Sequence, residues 1–453
     1  MLLIIGMLLP GVTACGQKEA EFAFNQETAE VLENTEMTEA LNQLETANKG
    51  ESLSQSETLS QGETPNQEKT ADQEETLHEQ DTPDISGMQT QAGETGAAEE
   101  NKIDRPKVKG IYVTGPVAGS ERMNDLITLA DETEINAMVI DVKNDNGEIT
   151  WKMQTDSVNE MENGVAYIKD INALMTTLKE HNIYTIARIV CFKDPVFAQN
   201  HTDSALKKPD GRAVTDAYGL AWVNPYDKKV WNYLTEIAQA ASAVGFDEVQ
   251  FDYVRFPIGK DAEAADYKVD MTVYSKEQAI SDFLSYACEQ LHEKNVVVGA
   301  DLFGTVIDSQ TDIERVGQNY AELGEILDVL SPMVYPSHYA KGVFGFDVPD
   351  AHPHDTVYEA LLLSKKVLGE NAGEHCATVR PWLQAFTASW VEGHISYGGK
   401  QIKEQIKAVY DAGYEEWILW NASCRYSADG LEPFTISKQT SQAGQQALQH
   451  SQR

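Results

Sequence analysis

The run Val249-Gln250-Phe251-Asp252-Tyr253-Val254-Arg255-Phe256-Pro257 is rich in β-branched and aromatic residues and reads as the core of a strand over residues 248–255. Seven more runs of the same kind surround it, at 110–114, 137–143, 184–191, 296–303, 329–335, 379–384 and 416–421. Segments of helical period separate them, at 120–132, 168–181, 229–244, 276–293, 313–323, 356–368 and 399–412. Three of these helices run out at Ala243-Val244-Gly245, Glu293-Lys294-Asn295 and Asp411-Ala412-Gly413. A Gly or Asn there suits the left-handed residue that closes a helix C-terminus. Eight strand–helix units predict an α/β fold of the closed (β/α)8 TIM-barrel type rather than an open doubly wound sheet. No GxGxxG follows the first strand, which argues against a dinucleotide-binding domain.

Outside this barrel, expected at 107–434, the composition changes abruptly. The chain of 453 residues carries 35 basic and 72 acidic side chains, a formal charge of -37. Residues 17–104 hold 22 acidic against 4 basic residues, about half the net charge, and only Phe22 and Phe24 as aromatics. Such a stretch buries too little apolar surface to offset chain entropy, so 16–106 is expected to be a disordered, self-repelling tether. The Gln- and Ser-rich tail at 435–453 is expected to fray. Residues 1–15 form a short apolar run, too short for a membrane-spanning helix, ending in Val12-Thr13-Ala14-Cys15. Small residues before a cysteine resemble the bacterial lipoprotein signal box, which implies cleavage before Cys15, lipidation of its thiol and a chain anchored at the extracytoplasmic face of the cell membrane. An ordinary secretory signal is the alternative. No Lys or Arg precedes the apolar run. Strong negative charge and the lack of a basic, aromatic-interleaved patch disfavour nucleic-acid binding. The spacings of Cys191, Cys288, Cys376 and Cys424 name no disulfide pairing, and buried thiols are expected.

In such a barrel the active site lies at the C-terminal ends of the strands. Polar residues there are Asp141 and Lys143 on the second strand, Arg188 on the third, Asp252 and Arg255 on the fourth, Asp301 on the fifth, Gln384 on the seventh and Asn421 on the eighth. A carboxylate inside an apolar strand is costly unless it is paired or functional. One alone could be a structural ion pair; three on different strands, Asp141, Asp252 and Asp301, point to a shared polar cavity. Two carboxyls, one protonated and one ionised, are what cleavage of a glycosidic bond requires. Arg255 lies three residues after Asp252, hence of opposite parity in a regular strand, and could brace the outer rim. Asp141 and Lys143 share parity and either bind sugar hydroxyls or pair with each other.

The strand-four motif Gln250-Phe251-Asp252-Tyr253-Val254-Arg255-Phe256-Pro257, with Gly110-Ile111-Tyr112-Val113 and Asp301-Leu302-Phe303-Gly304, resembles a bacterial glycoside hydrolase domain family, distantly similar to alpha-amylase-type barrels. Ser331-Pro332-Met333-Val334-Tyr335-Pro336 and Arg380-Pro381-Trp382-Leu383-Gln384 match too, so the resemblance spans roughly 108–433. It implies that Asp252 stands where amylase-like barrels carry the nucleophile. Asp301 stands at their acid/base position, where glutamate is usual. The mechanism so implied is retention through a covalent glycosyl-enzyme on Asp252, with Asp301 as acid, then base.

A carbohydrate site also wants aromatic platforms beside its polar groups. Tyr335, Tyr339, Trp382 and Trp420 fall at or just beyond strand ends, and Trp222 with Asn224 in the loop after strand three. Aromatics in barrels are more often core, so a minority of these should reach ligand. His352 and His354, between Asp350 and Asp355, form a solvated loop rather than a metal site, and no cofactor or metal is expected. The partner expected is a poly- or oligosaccharide, met by a monomer. Two rival readings are a degenerate barrel that binds polysaccharide without cleaving it and a barrel serving as scaffold, its mouth filled by side chains.

Overall fold

The computed structural model describes residues 105–369 and 376–434. The signal segment, Cys15, most of the expected tether and the 435–453 tail lie outside the described residues. The strands are β1 (Lys109–Val113), β2 (Ala137–Lys143), β3 (Tyr184–Val190), β4 (Glu248–Asp252), β5 (Val297–Phe303), β6 (Val329–Met333), β7 (Thr378–Val379), β8 (Trp382–Gln384) and β9 (Trp417–Trp420). All pairings between them are parallel, β1 joins both β2 and β9, and β5 joins β6, so the sheet closes. The expected (β/α)8 barrel is present. Its seventh stave is split into β7 and β8 around Arg380-Pro381, where proline has no N–H for the ladder.

Helices Arg122–Glu132, Ile171–Glu180, Lys228–Ala243, Lys276–His292, Pro353–Leu368 and Gly399–Asp411 fill the predicted crossovers. Gly245, Asn295 and Gly413 all take left-handed φ, at 108°, 58° and 86°. The amides after them, Phe246, Val296 and Tyr414, reach back to the carbonyls of Ala241, Leu291 and Val409 and close the last turns. The helix expected at 313–323 is instead two, Gln310–Val316 and Tyr320–Ile326. Gly317, at φ 80°, ends the first, and a Cβ there would sit 2.8 Å from the Lys276 carbonyl oxygen. Asn319 then caps the second through the Glu322 amide. Helical periodicity persists across this break, which is why the sequence reads as one element.

Strand register sorts side chains into inward and outward sets. Asp141 pairs with Arg188, Arg188 with Gln250, and Gln250 with Gly299. Two residues further on, Asp252 and Asp301 share that inward face at one height. At the opposite, N-terminal end the interior holds Glu248, Arg380 and Glu416, all buried. Outward residues such as Val249, Phe251, Val298 and Ala300 meet the helices and are fully buried.

Candidate active site

Arg188 on β3 organises the C-terminal mouth. Its Nη1 donates to Asp141 Oδ1 at 2.7 Å, while its Nε and Nη2 both donate to Asp252 Oδ2, at 2.8 and 2.5 Å. Asp145 lies at the edge of the same guanidinium, with Oδ2 at 3.4 Å from Nη1. Three carboxylates around one buried cation hold Arg188 firmly protonated, against the cost of its burial. Tyr112 Oη donates to Asp141 Oδ2 at 2.7 Å, and its ring stacks on Trp420 at 4.1 Å and 23°. Burial pushes the Asp141 carboxyl up to about 6, although Arg188 and the Tyr112 hydroxyl pull it down.

Asp301 on β5 differs from these acids. It is 1 % exposed and touches no cation; Trp382 Nε1 donates to its Oδ1 at 2.6 Å, and Gln250 Nε2 donates to the same oxygen. Burial, reinforced by the charge of Asp252, raises its pKa far above the usual carboxylate range. A neutral carboxyl has one O–H donor, and an oxygen accepting two N–H bonds is not the one that carries it. Any proton on Asp301 therefore belongs on Oδ2, for which no protein partner occurs among the described residues. Asp252 makes a different set of contacts. Every bond it makes is accepted: two from Arg188 on Oδ2, and one from the Tyr253 amide on Oδ1 at 2.6 Å.

The backbone leaves the sheet at Asp252, so the strand parity expected from sequence does not govern Arg255. Tyr253 takes a left-handed φ of 48°, a costly conformation for a bulky residue and one that clusters at functional sites. Arg255 is 3 % exposed; it donates to the Phe256 carbonyl and packs against the rings of Trp222, Tyr253 and Phe303 at 4.9, 5.1 and 4.6 Å. It does not brace an outer rim.

Lys143 also departs from expectation. An irregularity in β2 between Asp141 and Lys143 breaks the shared register. Lys143 Nζ bonds the Val190 carbonyl at 2.6 Å and pairs with Asp194 at 2.9 Å, not with Asp141. Asp194 in turn caps the helix Pro195–Asn200 through the Phe197 amide. Gln384 is wholly buried, ties Asp350 and the Phe386 carbonyl, and accepts the Ser337 amide; Asn421 bonds the Ala385 and Arg425 carbonyls. Both knit strand ends together and belong to the scaffold. Tyr335 and Trp222 are 3 % and 2 % exposed, and Tyr339 and Asn224 are buried as well. Trp382, 1 % exposed, is a wall that holds Asp301 rather than a platform. Trp420 alone of the expected aromatics stays partly open, and its Nε1 is buried, so what it shows the mouth is ring carbon. His354 pairs with Asp355 and Asp411, and among the described residues no three His, Cys, Asp or Glu side chains gather as metal ligands do.

Tyr112, Asp145, Lys193, Asp216 and Gln250 were not singled out from sequence. Lys193 pairs with Asp216 at 3.1 Å and Asp145 at 3.6 Å. Asn144 Oδ1 accepts the Asn146 and Glu148 amides, a turn completed by Gly147 at φ 77°, and this turn aims Asp145 at Arg188. The Asn-Asp-Asn-Gly string was the available signal. Arg188 and Lys193 draw Asp145 below the usual carboxylate range although the side chain is part-buried.

Comparison with solved structures finds several similar chains. A hypothetical protein from Ruminiclostridium thermocellum ATCC 27405 is 38% identical, covering 42% of this chain and 96% of its own, with a TM-score of 0.39. The PgaB (BpsB) glycoside hydrolase domain from Bordetella bronchiseptica is 13% identical over 70% of this chain and 94% of its own, with a TM-score of 0.48. The spore cortex-lytic enzyme SleL of Bacillus megaterium QM B1551 is 12% identical over 71% and 73%, with a TM-score of 0.43. No curated protein matches. Residues 110–426, from the first strand to the loop beyond the last, match the family described as "Putative glycosyl hydrolase domain", and the chain belongs to that family.

Proposed function

We propose that the barrel cleaves a glycosidic bond in an extracellular or cell-envelope polysaccharide, with retention, using Asp301 as acid/base and Asp252 as nucleophile. The observation that carries this reading is the pairing of a buried Asp301, held by neutral donors on Oδ1 alone and with no protein partner on Oδ2 among the described residues, with an acceptor-only Asp252 held by Arg188. Asp301 Oδ2–H gives its proton to the leaving oxygen as the C–O bond breaks. Asp252 Oδ1, which has only one donor, attacks the anomeric carbon while Arg188 holds Oδ2. Forming the ester removes the Asp252 charge that lifts Asp301, so the now ionised Asp301 becomes the base that the second step needs. It takes a proton from water; the hydroxide attacks the anomeric carbon, and the Asp252 carboxylate leaves. Trp420 supplies an apolar face for the sugar.

The test is incubation of the full chain with a panel of soluble polysaccharides, following the first anomer released by proton NMR. D252A should lose turnover and regain cleavage with azide, giving a glycosyl azide of inverted configuration. Turnover by D252A without azide equal to the parent would end the assignment. The cell-membrane location rests on the Val12-Thr13-Ala14-Cys15 box; C15S should move the protein from the membrane to the soluble fraction, and an unchanged distribution would contradict the anchor.

A further inference from the structure

Of the aromatics expected as platforms, Trp382 and Tyr335 are buried and Trp420 alone is part-exposed, which offers a face for about one sugar ring. A further pair of rings follows β8. Phe386 stands two residues beyond β8 and stacks on Trp390, with centroids 5.9 Å apart and planes within 18°. Both are half-buried, and the Trp390 Nε1 is turned inward, so the exposed part of the pair is ring carbon. Beneath them Tyr335 and His338 meet Phe386 edge-on, at 5.9 and 6.4 Å, and fix its plane.

This pair is continuous with the mouth. The Ala385 amide donates to the Trp420 carbonyl at 2.9 Å, and the Asn421 side chain donates to the Ala385 carbonyl at 2.7 Å. Phe386 thus comes directly after the residue sewn to the mouth's own platform, at the C-terminal end of the barrel where Asp252 and Asp301 lie. Near-parallel rings whose one polar edge, the Trp390 Nε1, is buried suit the flat C–H face of a pyranose, not an ion or a small polar molecule.

We propose that Phe386 and Trp390 form a second sugar-binding subsite, which takes a further pyranose unit of the chain whose bond is cleaved at Asp252 and Asp301. The substrate is then a polymer gripped beyond the scissile bond, not a lone disaccharide. The inference rests on the hydrolase reading for its direction, but its test does not require turnover. D301N in the full chain serves as the slow-cleaving background. It is run in native gels cast with a mixed-linkage glucan, a xylan, an α-glucan or a glycol chitin, beside D301N/W390A and D301N/F386A. At least one polysaccharide should retard D301N, with an apparent Kd about tenfold weaker in each double variant. Near-UV circular dichroism and the melting temperature confirm that the double variants are folded. Equal retardation of the folded double variants, or no retardation of D301N by any of the four, overturns the subsite. Undiminished cleavage by D301N would instead refute the acid assignment and leave the retardation result standing.

Discussion

The barrel interior contains two buried ionic clusters, one at each end, and they are balanced differently. At the N-terminal end Arg380 grips Glu248 through two bonds of 2.7 and 3.1 Å and Glu416 through a third of 3.1 Å, while Arg105 holds Glu416 from below at 2.8 Å. Two guanidiniums face two carboxylates. Arg380 and Arg105 keep Glu416 below its ordinary pKa although it is buried. At the C-terminal end one guanidinium, Arg188, serves Asp141, Asp145 and Asp252, with Lys193 a second cation for Asp145 alone, and Asp301 is left with neutral donors only. Burial, with the charge of neighbouring carboxylates added to it, pushes two of them, Asp141 and Asp301, above their ordinary values. A matched cluster is what a structural plug needs; a mismatched one shifts its carboxyls upward, and perturbed groups of that kind mark functional sites.

The contrast makes D301N the largest expected effect. It removes the proposed acid, so kcat should fall about 10²–10⁴-fold. Stability should move the other way. A raised folded pKa means that Asp301 costs nothing below its unfolded value, about 3.9, and costs progressively more as pH rises from there toward the folded pKa. D301N should therefore melt no lower than the parent at pH 7 and no higher at pH 3; a large loss of melting temperature at pH 7 would show that Asp301 is structural. Next in size comes R380L at the other end, which strands Glu248 in the interior, leaves Glu416 to Arg105 alone and should lower unfolding free energy by about 3–5 kcal/mol in urea titration. Its kcat per folded molecule should stay at the parent level, because no reacting group lies near Arg380. A fall in kcat as deep as that of D301N would mean that the two ends are not independent.

The difference between the two ends also bears on what was legible in the sequence. Strand and helix periods located all eight staves, and carboxylates in apolar strands pointed to Asp141, Asp252 and Asp301, because an inward position on a strand is set by parity. Arg188 was legible for the same reason. Lys143 and Arg255 were misplaced where regular parity fails, at the β2 irregularity and at the left-handed Tyr253. Trp382 and Tyr335 read as platforms, since nothing local says whether a strand-end ring will be roofed by another segment. Asp145, Lys193 and the Phe386–Trp390 pair depend on loop conformation, and no periodicity encodes that.

The smallest expected effect concerns how Asp301 is tuned. Trp382 Nε1 donates to Asp301 Oδ1, a bond that favours the ionised carboxylate and offsets part of the upward push from burial and Asp252. W382F keeps an aromatic wall but deletes this donor. A hydrogen bond to a charged group is worth about 1.5–3 kcal/mol, or roughly one to two pKa units. On the proposed mechanism kcat/KM requires protonated Asp301, so its alkaline limb should mark the loss of that proton. In W382F the limb should move to higher pH by about one unit, while the second step, which needs Asp301 as a base, slows. Simple loss of packing would lower the whole profile without moving its limb. A shift to lower pH would mean that Trp382 steadies the neutral acid, and the proton would then have to be reassigned from Oδ2.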